Sequence, residues 1–216
     1  MSKQFLAVLV VAVLALFGIF TLTKKSSSDN QSGNGTQDKS SQLSEHKKGA
    51  GTAGVTLIEY GDFQCPICKQ YYPIVQKVQE TYGDKITFQF RNFPLTQLHP
   101  HAFEAARAAE AAGLQGKFWE MYDLLYQNQD TWAKSPSAGS IFASFAEQLS
   151  LDKAKFQADS SSEQVANIIN ADVRAAQDIG AGGTPTFVLN GKKLDKNPTD
   201  VEGFKQLIDA EIAKNN

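Results

Sequence analysis

The sequence predicts an α/β domain in the order βαβ, helical insertion, ββα, with one transmembrane helix ahead of it. Three observations carry that reading. An uncharged apolar run fills residues 5–23, a strand–helix–strand pattern occupies 55–91, and a hairpin leads into an amphipathic helix over 186–212. With 216 residues and 42% hydrophobic types, the chain is long enough to bury a core of one domain. Its 21 basic and 23 acidic side chains form no concentrated basic face, which excludes nucleic-acid binding as the leading class.

The run at 5–23 is nineteen residues without a charge, enough to cross the hydrocarbon core as a helix. A cleaved signal would have a shorter apolar region and a small-x-small site. Phe20-Thr21-Leu22-Thr23-Lys24-Lys25 offers no such site, so residues 1–25 read as an uncleaved anchor. Lys3 and the terminal amine nearly balance Lys24 and Lys25 under the positive-inside rule. We place the N-terminus inside and the domain outside, as a single-pass protein of the cell membrane, because the dithiol chemistry below suits an oxidising compartment. Residues 26–50 are polar, with Leu43 as their one large aliphatic, and read as a flexible linker. The folded domain is then 51–216, with its helical insertion at about 98–180.

Within the domain, VTLIEY at 55–60 is a short β-branched apolar run and predicts a buried strand. Apolar residues at Cys68, Tyr71, Tyr72, Val75, Val78 and Tyr82 have helical spacing, and Gly83 stops that helix. Pro66 falls at its first position, where a missing N–H costs nothing. Ile86, Phe88 and Phe90 alternate with polar residues, so a second strand follows, parallel to the first. Helices are predicted over 101–112, 117–128, 140–149, 153–158 and 165–179, with Asp172 at the edge of the last apolar stripe. Thr186 to Leu189 reads as a strand, Asn190-Gly191 as a tight turn, and 192–194 as its return. Asp200 is the expected N-cap of a final helix carrying Val201, Phe204, Leu207, Ile208 and Ile212.

The only two cysteines are Cys65 and Cys68, so this is no disulfide scaffold. They open a helix directly after a buried strand. There the first sulfur meets unpaired backbone N–H groups and the positive end of the helix dipole. Both favour thiolate at Cys65 and lower its pKa. The thiolate is the species that attacks disulfides and leaves from them, so Cys65 is the expected nucleophile and the deeper Cys68 its resolving partner. The competing reading is half of a zinc site, completed by His99 and His101. No second cysteine pair exists, and both histidines read as part of the 94–100 loop and the helix start after it.

The domain resembles the DsbA-like branch of the thioredoxin superfamily over about residues 54–214. The resemblance rests on Glu59-Tyr60-Gly61-Asp62-Phe63-Gln64-Cys65-Pro66-Ile67-Cys68, Phe93-Pro94-Leu95, His99-Pro100-His101-Ala102, Gly116-Lys117-Phe118-Trp119 and Gly183-Thr184-Pro185-Thr186-Phe187. It implies a thioredoxin-like fold and a redox-active disulfide in place of a cofactor. It implies a cis-proline at Pro185, with the Thr184 backbone offered to a substrate peptide as in β-augmentation; the plain alternative is a proline entering a strand. Pro66 and Ile67 are the further implied substrate contacts. Glu59 matches the superfamily's buried acid, able to move protons at Cys68, against the simpler reading of an acid at a strand end. One departure stands out. Strong oxidants of this group carry histidine between the cysteines, whereas Ile67 can neither hydrogen-bond nor hold charge, which implies a less oxidising disulfide.

The function implied is an oxidase that donates the Cys65–Cys68 disulfide to exported proteins. A quinone-linked membrane partner, DsbB-like or vitamin K epoxide reductase-like, would reoxidise it. The alternatives are a membrane-tethered reductase or isomerase and, from another class, a soft-metal module holding an ion such as copper(I). Isomerases of the group add a dimerisation domain that the linker is too short and polar to supply, so a monomer is expected. Phe118, Trp119, Tyr122 and Tyr126 read mostly as packing of the insertion.

Overall fold

The computed structural model describes residues 42–215. The predicted anchor and most of the predicted linker lie outside them. Among the described residues, no helix is long and apolar enough to cross a membrane.

Among the described residues, five strands form one sheet in the order β1-β3-β2-β4-β5: β1 His46–Lys48, β2 Val55–Gly61, β3 Ile86–Asn92, β4 Thr186–Leu189 and β5 Lys192–Lys193. β2 and β3 are parallel, as the βαβ reading requires, and the remaining pairs are antiparallel. The crossover is α1, Pro66–Tyr82. The insertion contributes α2 Ala102–Gly113, α3 Phe118–Gln127, α4 Gln129–Trp132, α5 Ala138–Gln148, α6 Lys153–Ser161 and α7 Glu163–Asp178. The chain closes with α8, Val201–Lys214, capped by Asp200, whose carboxylate accepts from the Gly203 N–H at 2.8 Å. The β4–β5 turn has positive φ at Asn190 and Gly191, 48° and 78°, the backbone that an Asn-Gly hairpin supplies.

Register explains which side chains share a face. Glu59 lies opposite Phe90 on one side and Phe187 on the other, so these three point together into the main core. α1 and α8 cover that face, with Phe187 and Phe204 rings 4.9 Å apart and the Tyr82 hydroxyl donating to Asp209 at 2.7 Å. The opposite face holds a smaller apolar cluster of Tyr60, Phe93, Ala176 and Val188.

Two expectations are corrected here. His46–Lys48, assigned to the flexible linker by composition, is an edge strand. Ser44, just before it, is buried. Composition could not show this because the stabilising partners are remote: the His46 ring stacks on Phe118 at 3.4 Å, and the Lys48 ammonium sits 4.6 Å from the Trp119 ring. Asp172 is not at the edge of its stripe but fully buried. Its carboxylate accepts from Ser44 N at 3.0 Å, Ser44 Oγ at 2.6 Å and Asn92 N at 2.9 Å.

Candidate active site

Cys65 is the N-cap of α1, in extended conformation with φ −67° and ψ 122°, and Pro66 is the first helical residue. The turn that delivers it is fixed by Asp62. Its main-chain carbonyl accepts from Cys65 N at 3.1 Å, and its buried carboxylate accepts from Gln64 N at 2.8 Å and Leu95 N at 2.9 Å. The same carboxylate pairs with His99 Nδ1 at 2.7 Å. From the other side, Gln129 donates to the carbonyls of Phe63 and Cys65 at 2.7 and 3.0 Å. Sequence reasoning assigned Asp62 and Gln129 no role. For Asp62 the signal was present, since an Asp two residues before Gln64 can form an Asx-turn; Gln129 lies on the four-residue α4, which periodicity does not reveal.

The loop before β4 meets this turn. The Thr184–Pro185 peptide bond is cis. Cys65 Sγ lies 3.5 Å from the Thr184 carbonyl oxygen, and Pro185 is buried with its carbonyl accepting from Asn197 at 2.7 Å. Thus Cys65, Cys68 and Thr184 are brought together, with Pro185 following Thr184 in the same loop. Pro66 and Ile67 are exposed at the rim, Ile67 with 46% of its surface. Glu59 lies in the interior beneath, 1% exposed. His101 faces Glu104 at 3.7 Å. Among the described residues, no group of three or more His, Cys, Asp or Glu is placed to hold a metal ion.

Both cysteines are free thiols here, and their environments separate them. The Cys65 thiol is held down at about 5 from an ordinary 9.0. The hydrogen bond from the Cys68 thiol contributes most; burial opposes it, and Thr184 and the backbone N–H groups of Cys68 and Ile67 add to the lowering. Burial pushes the Cys68 thiol up, and the bond to Cys65 and the charges of Glu59 and Cys65 add to the rise. Burial also raises Glu59 to about 8, with a further push from the Cys65 charge. At pH 7 the site therefore holds a thiolate at the start of α1, a thiol one turn further in and a protonated carboxyl behind. Ile67 contributes only through its backbone N–H, so the helix start supplies what its side chain lacks.

A family model described as Thioredoxin matches residues 41–210. The chain belongs to the thioredoxin family. Within it, the domain is DsbA-like. Its fold is shared with the crystal structure of oxidised BdbD from Bacillus subtilis, at TM-score 0.67 and 25% identity, covering 77% of this chain and 92% of that one. A thioredoxin-like oxidoreductase from Silicibacter pomeroyi gives TM-score 0.65 at 25% identity, covering 79% of this chain and 92% of that one. α-DsbA1 from Wolbachia pipientis gives TM-score 0.69 at 20% identity, covering 82% and 96%, and there the likeness is one of fold alone.

Curated relatives of this thioredoxin-family chain include Na(+)/H(+) antiporter NhaA 3 of Salinispora tropica, 38% identical over 164 residues, covering 76% of this chain and 24% of that protein. NhaA 1 of Mycolicibacterium gilvum is 34% identical over 172 residues, covering 77% of this chain and 26% of that protein. The chain spans about a quarter of the length of these relatives, and antiport is not carried over from them.

Proposed function

We propose that the protein is a membrane-tethered, extracytoplasmic oxidase that donates the Cys65–Cys68 disulfide to exported proteins. The observation that supports this best is the set of donors around Cys65: the Cys68 thiol, the N–H groups of Ile67 and Cys68, and the open end of α1. Each stabilises the thiolate, which exists only in the reduced protein. A stabilised reduced form makes the disulfide the stronger oxidant. The Cys65 value of about 5 falls between thioredoxin's roughly 7 and DsbA's roughly 3.5. That position agrees with the expectation that isoleucine in place of histidine moderates the oxidising power.

The proposed steps use the groups already placed around Cys65. A substrate thiolate attacks Cys65 Sγ, a sulfur–sulfur bond forms to the substrate, and the Cys65–Cys68 bond breaks. Cys68 departs into a buried site that disfavours its thiolate, and the protonated Glu59 supplies the proton. The substrate peptide lies extended against the Thr184 backbone, with Pro185 below it and Pro66 and Ile67 at the rim. A second substrate thiolate then attacks the substrate sulfur of the mixed disulfide, forming the product disulfide and releasing Cys65 as its stable thiolate. Two electrons have moved to the protein. A membrane partner of the quinone-linked kind, DsbB-like or vitamin K epoxide reductase-like, would take them up. No dissociable cofactor takes part, and one protomer suffices.

The test is transfer from the oxidised full chain to a reduced, unfolded ribonuclease. We expect Cys65→Ser to abolish transfer, and Cys68→Ala, which has no disulfide to donate, to abolish it as well. Full oxidative folding activity in Cys65→Ser would sink the proposal. A protein that only removes disulfides from the substrate would establish the reductase reading instead.

A further inference from the structure

Glu59 does not lie alone behind Cys68. A Cβ on Gly61 would come within 2.4 Å of the Phe90 ring and 3.2 Å of Glu59 Oε1, so the carboxyl and that ring approach the same small space. The Phe90 ring meets Tyr122 edge-on at 5.1 Å, and Tyr122 meets Tyr126 at 4.9 Å. Phe63 touches all three, at 5.1, 5.8 and 5.2 Å. Glu59, Cys68, Tyr122 and Tyr126 are each at most 1% exposed. Among the described residues, Glu59 Oε2 and both phenol oxygens have no hydrogen-bond partner.

Those hydroxyls need a reason. Leaving a buried polar group unsatisfied is destabilising, and phenylalanine would fill the same volume without that penalty. The neighbouring tyrosine behaves as packing alone would lead one to expect. Tyr72 contacts both rings, yet its hydroxyl donates to Asp123 at 3.0 Å and accepts from Gln76 at 2.7 Å.

We infer that Tyr122 and Tyr126 are positioning residues for the buried acid. Directly or through one bound water, their hydroxyls donate to the Glu59 carboxylate that forms when Glu59 gives its proton to the departing Cys68 sulfur. The inference rests on the exchange mechanism above and deepens it. While Glu59 is neutral the phenols are idle; when it ionises in the interior, they are the groups that can meet its charge. Burial holds both phenols well above their ordinary range, so they remain donors, and the charges of Glu59 and Cys68 act on both. The helical insertion then does more than shelter the cysteines: α3 completes the proton-handling side of the site.

The test uses Tyr122→Phe, Tyr126→Phe and the double variant in the full chain. Its readouts are the rate at which the oxidised protein forms a mixed disulfide with a single-thiol peptide across pH 5–9, and the Glu59 carboxyl titration by infrared difference spectroscopy. We expect folded variants with the Cys65 titration unmoved, Glu59 titrating higher, and the double variant about tenfold slower at pH 7, the size of a lost charge-assisted hydrogen bond. In a Glu59→Gln background the same changes should have no further effect. Unchanged rates and an unchanged Glu59 titration would overturn the inference, as would equal slowing in the Glu59→Gln background. A reductant's potential would sink the oxidase reading but leave this test intact, because Cys68 exchanges its proton in either direction.

Discussion

In the reduced protein, Cys65 and Glu59 carry opposite pH dependences of stability. Cys65 is held at about 5 against an ordinary 9.0, so its contribution is full above pH 9 and is lost as pH falls through 5. Glu59 is raised to about 8 from 4.5, so its contribution is full below pH 4.5 and is lost as pH rises through 8. Between pH 5 and 8 the two slopes oppose each other. Glu59→Gln removes the falling one, and the stability of the reduced variant should then rise with pH across that window by roughly 1.4 kcal/mol per unit. Urea unfolding at several pH values checks this; a variant with flat stability would contradict the assignment. The Cys65 thiolate itself should titrate near 5 by its ultraviolet absorbance, and Cys65→Ser should remove that transition. Cys65 and Cys68 were legible in the sequence because a short motif carries their chemistry locally, whereas Pro185 was pointed to by the family resemblance, an X–Pro bond alone being equally at home at the start of a strand. Asp62 and Gln129 were less so, since what they do is hold backbone groups of the turn before Cys65, and Gln129 reaches it from a distant segment.

At the scale of elements, what could be read was what repeats along the chain. The alternation in β3, the spacing in α1 and the Asn-Gly turn are periodic or local signals, and the structure has each element close to its expected place. β1 was missed because nothing in His-Lys-Lys marks a strand; remote partners on β3, α2, α3 and α7 make it one. His46 Nε2 lies 2.8 Å from Glu110 Oε1, and Asn92 Nδ2 donates to Glu110 at 2.6 Å and to Asp172 at 3.2 Å. This buried network fastens the start of the domain to the far edge of the sheet from β4. Asp172→Ala would strand the donors of Ser44 and Asn92 and should cost roughly 3 kcal/mol in guanidinium unfolding. It should also speed hydrogen exchange in β1 while leaving the Cys65 titration in place. A loss within about 0.5 kcal/mol, the range of an ordinary surface substitution, would show that the network does not hold the strand.

For the whole molecule, thiolate stabilisation at one residue becomes a property of the fold. Whatever stabilises the reduced dithiol in the folded protein works against the extra stability that a disulfide ordinarily confers on the oxidised form. As pH falls toward 5, thermal unfolding should therefore show the reduced protein losing stability relative to the oxidised one, which has no thiolate to protonate. The same linkage sets the direction of electron flow, and the reduction potential of the Cys65/Cys68 pair in a glutathione buffer measures it most directly. With Cys65 near 5, the account predicts a value well above thioredoxin's roughly −270 mV and short of DsbA's roughly −120 mV. A potential at or below thioredoxin's would contradict it and make the protein a source of electrons.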